Sequence, residues 1–150
     1  MLGASMSSSN SHSSHWSSRV FGAWVRQVSG PTLRADLLAG LLGTVFTMTN
    51  TFFKTPFEDR GIQVSVPSDS QIARIQTKIE TELEHGIVKE DTRQEFEAII
   101  RDLKQREGID HIVLACTELP LILSDDNSPV PCLDTVEIHV ESLIRAVISG

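Results

Sequence analysis

The sequence predicts an α/β fold: a four-stranded parallel sheet flanked by helices. Three observations carry that prediction. Four short apolar runs are each bounded by turn or cap residues. Amphipathic patterns with helical spacing separate several of them. Strands that alternate with helices form βαβ units, whose strands pair in parallel.

The first run, residues 37–42, is Leu-Leu-Ala-Gly-Leu-Leu and ends at Gly43-Thr44. Its length suits a buried strand, although a leucine-rich run this short also suits a helix. Residues 62–66 alternate weakly and stop at Pro67. Ser68 or Asp69 then caps a helix in which Ile72, Ile75, Ile79 and Leu83 share one face, and Gly86 stops it. Glu90 or Asp91 opens the next helix, with Phe96, Ile99, Ile100 and Leu103 inward and Gly108 after it. Its Arg93, Glu97, Arg101 and Lys104 read as a solvated charged face. Residues 112–115 form the third strand, ending at Cys116-Thr117, and 130–133 the fourth, ending at Asp134-Thr135. A last helix runs from 135 to about 148, with Ile138, Leu143, Ile144 and Val147 apolar. Four strands are few for a complete sheet of this kind, and half of a larger α/β protein fits the count better.

The N-terminal stretch has a different texture. Nine of the first 18 residues are serine, which leaves little to bury and predicts a disordered or unrelated extension over residues 1–30. Val20, Phe21, Trp24, Val25 and Val28 are spaced like one face of a short helix near 19–28. A Ser-rich, Arg-bearing, acid-free lead also has the composition of an organellar transit segment; otherwise a cytoplasmic location is expected. The domain itself is expected over 36–150.

Composition excludes several classes. The chain has 150 residues, 40% hydrophobic and 22% charged, as an ordinary globular domain does. No run of about 18 uncharged apolar residues exists, so no membrane partner is expected. Two cysteines cannot build a disulfide scaffold. The net charge of −7 divides into +3 on residues 1–35 and −10 on the rest. A body at −10 repels phosphate backbones, and with no tyrosine the chain has few stacking platforms, so no nucleic-acid partner is expected.

Ligands of open α/β sheets bind beyond the carboxyl ends of the strands. Three turns stand there: Gly43-Thr44-Val45-Phe46-Thr47-Met48, Cys116-Thr117-Glu118 and Asp134-Thr135. Hydroxyls and carboxylates in them are ordinary N-cap residues, and the same positions expose backbone N–H groups that can hold a carboxylate. A thiol at a helix N-terminus is activated, which makes Cys116 a candidate nucleophile or base; a buried, inert cysteine is the plainer alternative. Cys132, inside the fourth strand, reads as packing. His111 and His139 lack any metal-ligand spacing, and no GxGxxG or Walker-type loop occurs, so no metal and no dinucleotide or nucleotide cofactor is expected.

Together these segments resemble a known family. Leu41-Leu42-Gly43-Thr44-Val45-Phe46-Thr47-Met48, then Val113-Leu114-Ala115-Cys116-Thr117-Glu118-Leu119-Pro120-Leu121, then Pro131-Cys132-Leu133-Asp134-Thr135 with His139 follow the order and spacing of the second half of aspartate/glutamate racemases. The resemblance covers about residues 36–148. It implies a flavodoxin-like half of a two-domain protein, in which two halves face each other across a cleft and each supplies one base to the α-carbon of an acidic amino acid, without a cofactor. An α-proton is so weakly acidic that the base must touch it, and a second acid must deliver a proton to the other face. By that resemblance Cys116 is the catalytic base of this half. Thr117 holds the substrate α-carboxylate, Glu118 orients the site or contacts the amino group, and Thr44 and Thr47 line the cleft.

The departures from the family pattern are specific. The family's first-half motif, Cys-Asn-Thr or Thr-Asn-Thr, occurs here only as Thr49-Asn50-Thr51, inside the expected first helix. Ala115 stands where the family has glycine, Cys132 where it has an apolar residue, and Glu84 near a lysine of some relatives. The resemblance therefore implies a truncated chain whose second base comes from a missing N-terminal half or from a homodimer. Two other readings are an inactive fragment or pseudoenzyme serving as an interaction or dimerisation module, and a sister activity such as hydantoin racemase, maleate isomerase or arylmalonate decarboxylase.

Overall fold

The computed structural model describes residues 37–59 and 61–148, without the side chains of 138, 139, 141–143, 145 and 146. The serine-rich lead and the helix expected near 19–28 lie outside the described residues, as does the side chain of His139.

The chain begins with β1 (Leu38–Leu42), followed by α1 (Val45–Thr49), α2 (Thr51–Glu58) and β2 (Gln63–Ser65). Next come α3 (Asp69–Thr81), a 3-10 turn at Leu83–His85, and α4 (Glu90–Glu107). β3 (His111–Leu114), a 3-10 turn at Leu119–Leu121, β4 (Cys132–Asp134) and α5 (Thr135–Ile148) complete it. The four strands form one parallel sheet in the order β2-β1-β3-β4. The sequence therefore predicted the class and all four strands correctly, including the leucine-rich first one.

The helices begin and end where local chemistry directs. The Gln71 side chain reaches back to the Ser68 amide at 2.9 Å and satisfies one free donor at the start of α3. α4 carries Glu90 and Asp91 in its first turn, complementing the helix dipole, and ends at Gly108 with φ 75°. Glu82, buried between these helices, accepts from Lys78 at 2.8 Å, Lys89 at 3.2 Å and the Thr92 hydroxyl, and so ties the end of α3 to the start of α4.

Alternation along the strands divides the core in two. Leu42, Ile112 and Leu114 meet α3 and α4 through Ile72, Ile75, Ile79, Phe96, Ile100 and Leu103. Ala39, Leu41 and Val113 pack on the opposite side with Phe57 of α2 and Ile62. Gly40, in central β1, admits α4 at close range: a Cβ there would stand 2.6 Å from Ile112 Cδ1 and 3.0 Å from Leu103 Cδ2.

One local expectation changes. The first helix does not run through 49–51; it breaks at Asn50, with Thr49 ending α1 and Thr51 opening α2. Asn50 is extended, and its side chain accepts from the Phe52 amide at 2.9 Å. It closes α1 and caps α2, because an asparagine carbonyl competes well for free amides at a helix start and poorly inside one.

Candidate active site

The order β2-β1-β3-β4 places β2 on one side of β1 and β3 on the other. The chain leaves β1 towards β2 on one side and leaves β3 towards β4 on the other, so the carboxyl ends of β1 and β3 form the topological switch point, where such sheets bind ligands. Leu42 pairs with Leu114, and the Ala115 amide donates to the Leu42 carbonyl at 2.8 Å. Leu114 pairs in turn with Asp134. The turns carrying Thr44, Cys116 and Asp134 therefore leave three neighbouring strands at one edge.

Cys116 is half-buried, and its thiol donates to Glu118 Oε2 at 2.8 Å. The structure departs here from the sequence reading. No α-helix starts behind the thiol; a turn and the three-residue 3-10 segment Leu119–Leu121 follow it. No helix dipole lowers its pKa. Burial pushes the thiol up to about 11, and the Glu118 carboxylate adds to the rise. Glu118 in turn is held below the ordinary carboxylate range by the Cys116 thiol and by a hydrogen bond from Thr117. Thr117 itself is exposed.

The hydroxyls of β1's turn are occupied. Thr44 caps α1, accepting from the Thr47 amide at 3.3 Å, and the Thr44 and Thr47 hydroxyls share a hydrogen bond of 3.1 Å. Thr47 is buried, facing Thr44, while Thr44 is partly exposed. The Val45 amide, another donor at this helix start, is taken by Gln76 at 2.8 Å. Asp134 caps α5 by accepting from the amides of Val136 at 2.8 Å and Glu137 at 3.4 Å. The plain N-cap reading of Thr44 and Asp134 thus describes what both side chains do.

Two contributors were missed by sequence reasoning. The Thr135 hydroxyl donates to the Leu114 carbonyl at 3.0 Å and fixes the end of β3 from the next strand's turn. Gln76 reaches α1 from 31 residues away, and no local pattern signals it. Beside the site a cleft of about 380 Å³ opens among Pro120, Asp125, Asp126, Cys132, Asp134 and Glu137. Asp125 is engaged there with the Cys132 amide at 2.7 Å. Cys132 is partly buried against the α3–α4 core, and burial raises its thiol pKa too. Among the described residues, no three His, Cys, Asp or Glu side chains converge as metal ligands, and no helix is long and apolar enough to cross a membrane.

The comparisons agree with this geometry. Residues 32–143 match the family model described as Asp/Glu/Hydantoin racemase. Among solved structures, the chain is similar to an aspartate racemase homologue from Pyrococcus horikoshii OT3, with 31% identity and a TM-score of 0.75 over 85% of this chain and 54% of that one. It is also similar to a candidate Asp/Glu racemase from Yersinia pestis, with 29% identity and a TM-score of 0.73 over 85% and 55%. The aspartate racemase of Picrophilus torridus, at 22% identity and a TM-score of 0.60 over 86% and 51%, shares the fold. The chain spans about half the length of these structures. A model match over most of the chain, on a fold that sets Cys116-Thr117-Glu118 at the switch point of the sheet, makes this chain a member of the Asp/Glu/hydantoin racemase family.

Proposed function

We propose that this chain is the Cys116-bearing half of a cofactor-independent amino-acid racemase acting on aspartate or glutamate. The observation that carries the reading is the position of one thiol, bonded to Glu118 at 2.8 Å, beyond the paired ends of β1 and β3. A thiol there can exchange a proton with one face of a substrate α-carbon. Thr117, exposed beside it, can turn its hydroxyl from Glu118 to the α-carboxylate, where charge develops as the proton leaves. One thiol serves one face only. Inversion therefore needs a second base, from a first half or from a second copy of the chain.

The experiment is α-proton exchange. The chain is incubated in D2O with each enantiomer of aspartate and glutamate, and the α-proton is followed by NMR. The expected result is slow loss of signal that disappears in Cys116→Ser. No exchange from a folded sample, over times in which a relative inverts the substrate, refutes the reading.

A second reading has its own observation. Val136, Val140, Ile144, Val147 and Ile148 on α5 are all exposed, in a stripe with helical spacing. That suits an interaction or dimerisation module without catalysis. Association that survives Cys116→Ser in a chain without exchange activity supports this second reading.

A further inference from the structure

We propose that the apolar face of α5 is covered by this chain's own lead: residues 20–28 dock on it as a short helix and shield it from a second copy of the chain. The inference goes beyond the racemase reading and uses none of its residues.

The face lacks a partner. Among the described residues, α5 carries five of the eleven large apolar side chains left exposed: Val136, Val140, Ile144, Val147 and Ile148. Val147 is 81% exposed and Ile148 78%. α3 and α4, by contrast, leave no large apolar side chain exposed. At about 100° per residue the five on α5 fall within about 120° of the helix surface, so they form one strip about 18 Å long.

The lead matches that strip in shape, reach and charge. On a helix, Val20, Phe21, Trp24, Val25 and Val28 fall within about 140° and cover about 12 Å, with Arg19 and Arg26 outside the arc. Two such strips laid side by side take each other out of water. Leu42 pairs with Leu114 and Leu114 with Asp134. Strand rise and two strand spacings then put the start of α5 about 16 Å from Leu38. The nine residues 29–37 span up to about 30 Å. Residues 1–35 carry +3 and no acid against −10 on the rest, so the lead is drawn to the body that bears α5. A second copy suits the strip less well. Five side chains on one helix are few beside the about 20–30 residues per partner of a stable interface. A short tether instead supplies an effective concentration in about the millimolar range, so a small surface suffices.

The test uses the full chain. Trp16 and Trp24 are its only tryptophans and tyrosine is absent, so in Trp16→Phe the emission reports Trp24 alone. The expected emission is blue-shifted, and acrylamide quenches it at least about threefold less than N-acetyltryptophanamide. Ile144→Asp places a charge in the strip and should shift the emission to the red and restore quenching. Val140→Asp should do the same, and it carries the test if Ile144→Asp loses its far-UV circular dichroism. Val88→Asp, at an exposed apolar position outside α5, should change neither readout. The protection should be equal at low and high protein concentration, with the chain monomeric in sedimentation. Trp24 quenched as freely as the reference amide overturns the proposal. Protection that survives both α5 variants places the lead elsewhere and overturns it too. Protection that grows with concentration, together with a dimer in sedimentation, gives the face to a second copy and likewise overturns it. Each of these outcomes leaves the racemase reading standing.

Discussion

Gly40 is tightly enclosed in the sheet that carries the site, and Gly40→Ala tests how firmly α4 is seated there. The added Cβ would meet Ile112 Cδ1 at 2.6 Å, Ile109 Cδ1 at 2.8 Å and Leu103 Cδ2 at 3.0 Å. All three partners are buried. Overpacking of this kind costs about 1–3 kcal/mol. Loss of glycine's freedom in the unfolded chain offsets about 0.4–1 kcal/mol of that. The net destabilisation is then about 1.5 kcal/mol, which for a domain of this size lowers Tm by about 4–7 °C. The assay is thermal unfolding followed by circular dichroism, checked by urea denaturation. The same measurement in an Ile112→Val background, where the closest methyl is gone, should recover about 0.5 kcal/mol or more through coupling between the two sites. A neutral or stabilising Gly40→Ala, or an Ile112→Val loss equal in both backgrounds, would refute the claim that α4 and β3 close on β1 at this glycine.

Three further outcomes follow. Phe96→Ala, at a fully buried position in the α3–α4 core, should destabilise by about 3–5 kcal/mol in urea titration, a large share of the stability of such a domain. Glu82, bound by Lys78, Thr92 and Lys89, is held down to about 2 from 4.5, so its stabilising contribution is complete above about pH 4.5 and is lost as pH falls through about 2. Glu82→Gln should therefore be less stable than the parent at pH 7 and approach it below pH 2, read by thermal melts across that range. Asp134→Ala removes the acceptor at the start of α5 and should cost about 0.5–2 kcal/mol, with faster amide exchange at Val136 and Glu137 in NMR.

Much of this protein is decided along the chain itself. Ile72, Ile75 and Ile79 recur at helical spacing, Ser68 and Gly108 mark a start and a stop, and 112–114 has the length and apolar, β-branched make-up of a buried strand. Those signals are local: each depends on residues within a turn or two, and tertiary packing reinforces them. The order of Cys116-Thr117-Glu118 and Asp134-Thr135 was likewise enough to indicate the family. What the linear chain could not state is which strand lies beside which. Only the pairing of Leu42 with Leu114, and of Leu114 with Asp134, brings three turns to one edge. Nor could it state how the turns dispose of their donors. Gln76 takes the Val45 amide from another helix, and Thr47 turns inward to Thr44. The thiol is the clearest case. Read in sequence, a cysteine followed by Thr-Glu resembles a helix start that would lower its pKa. In the fold, burial and a carboxylate at 2.8 Å raise it, because a pKa answers to solvent and charge in three dimensions.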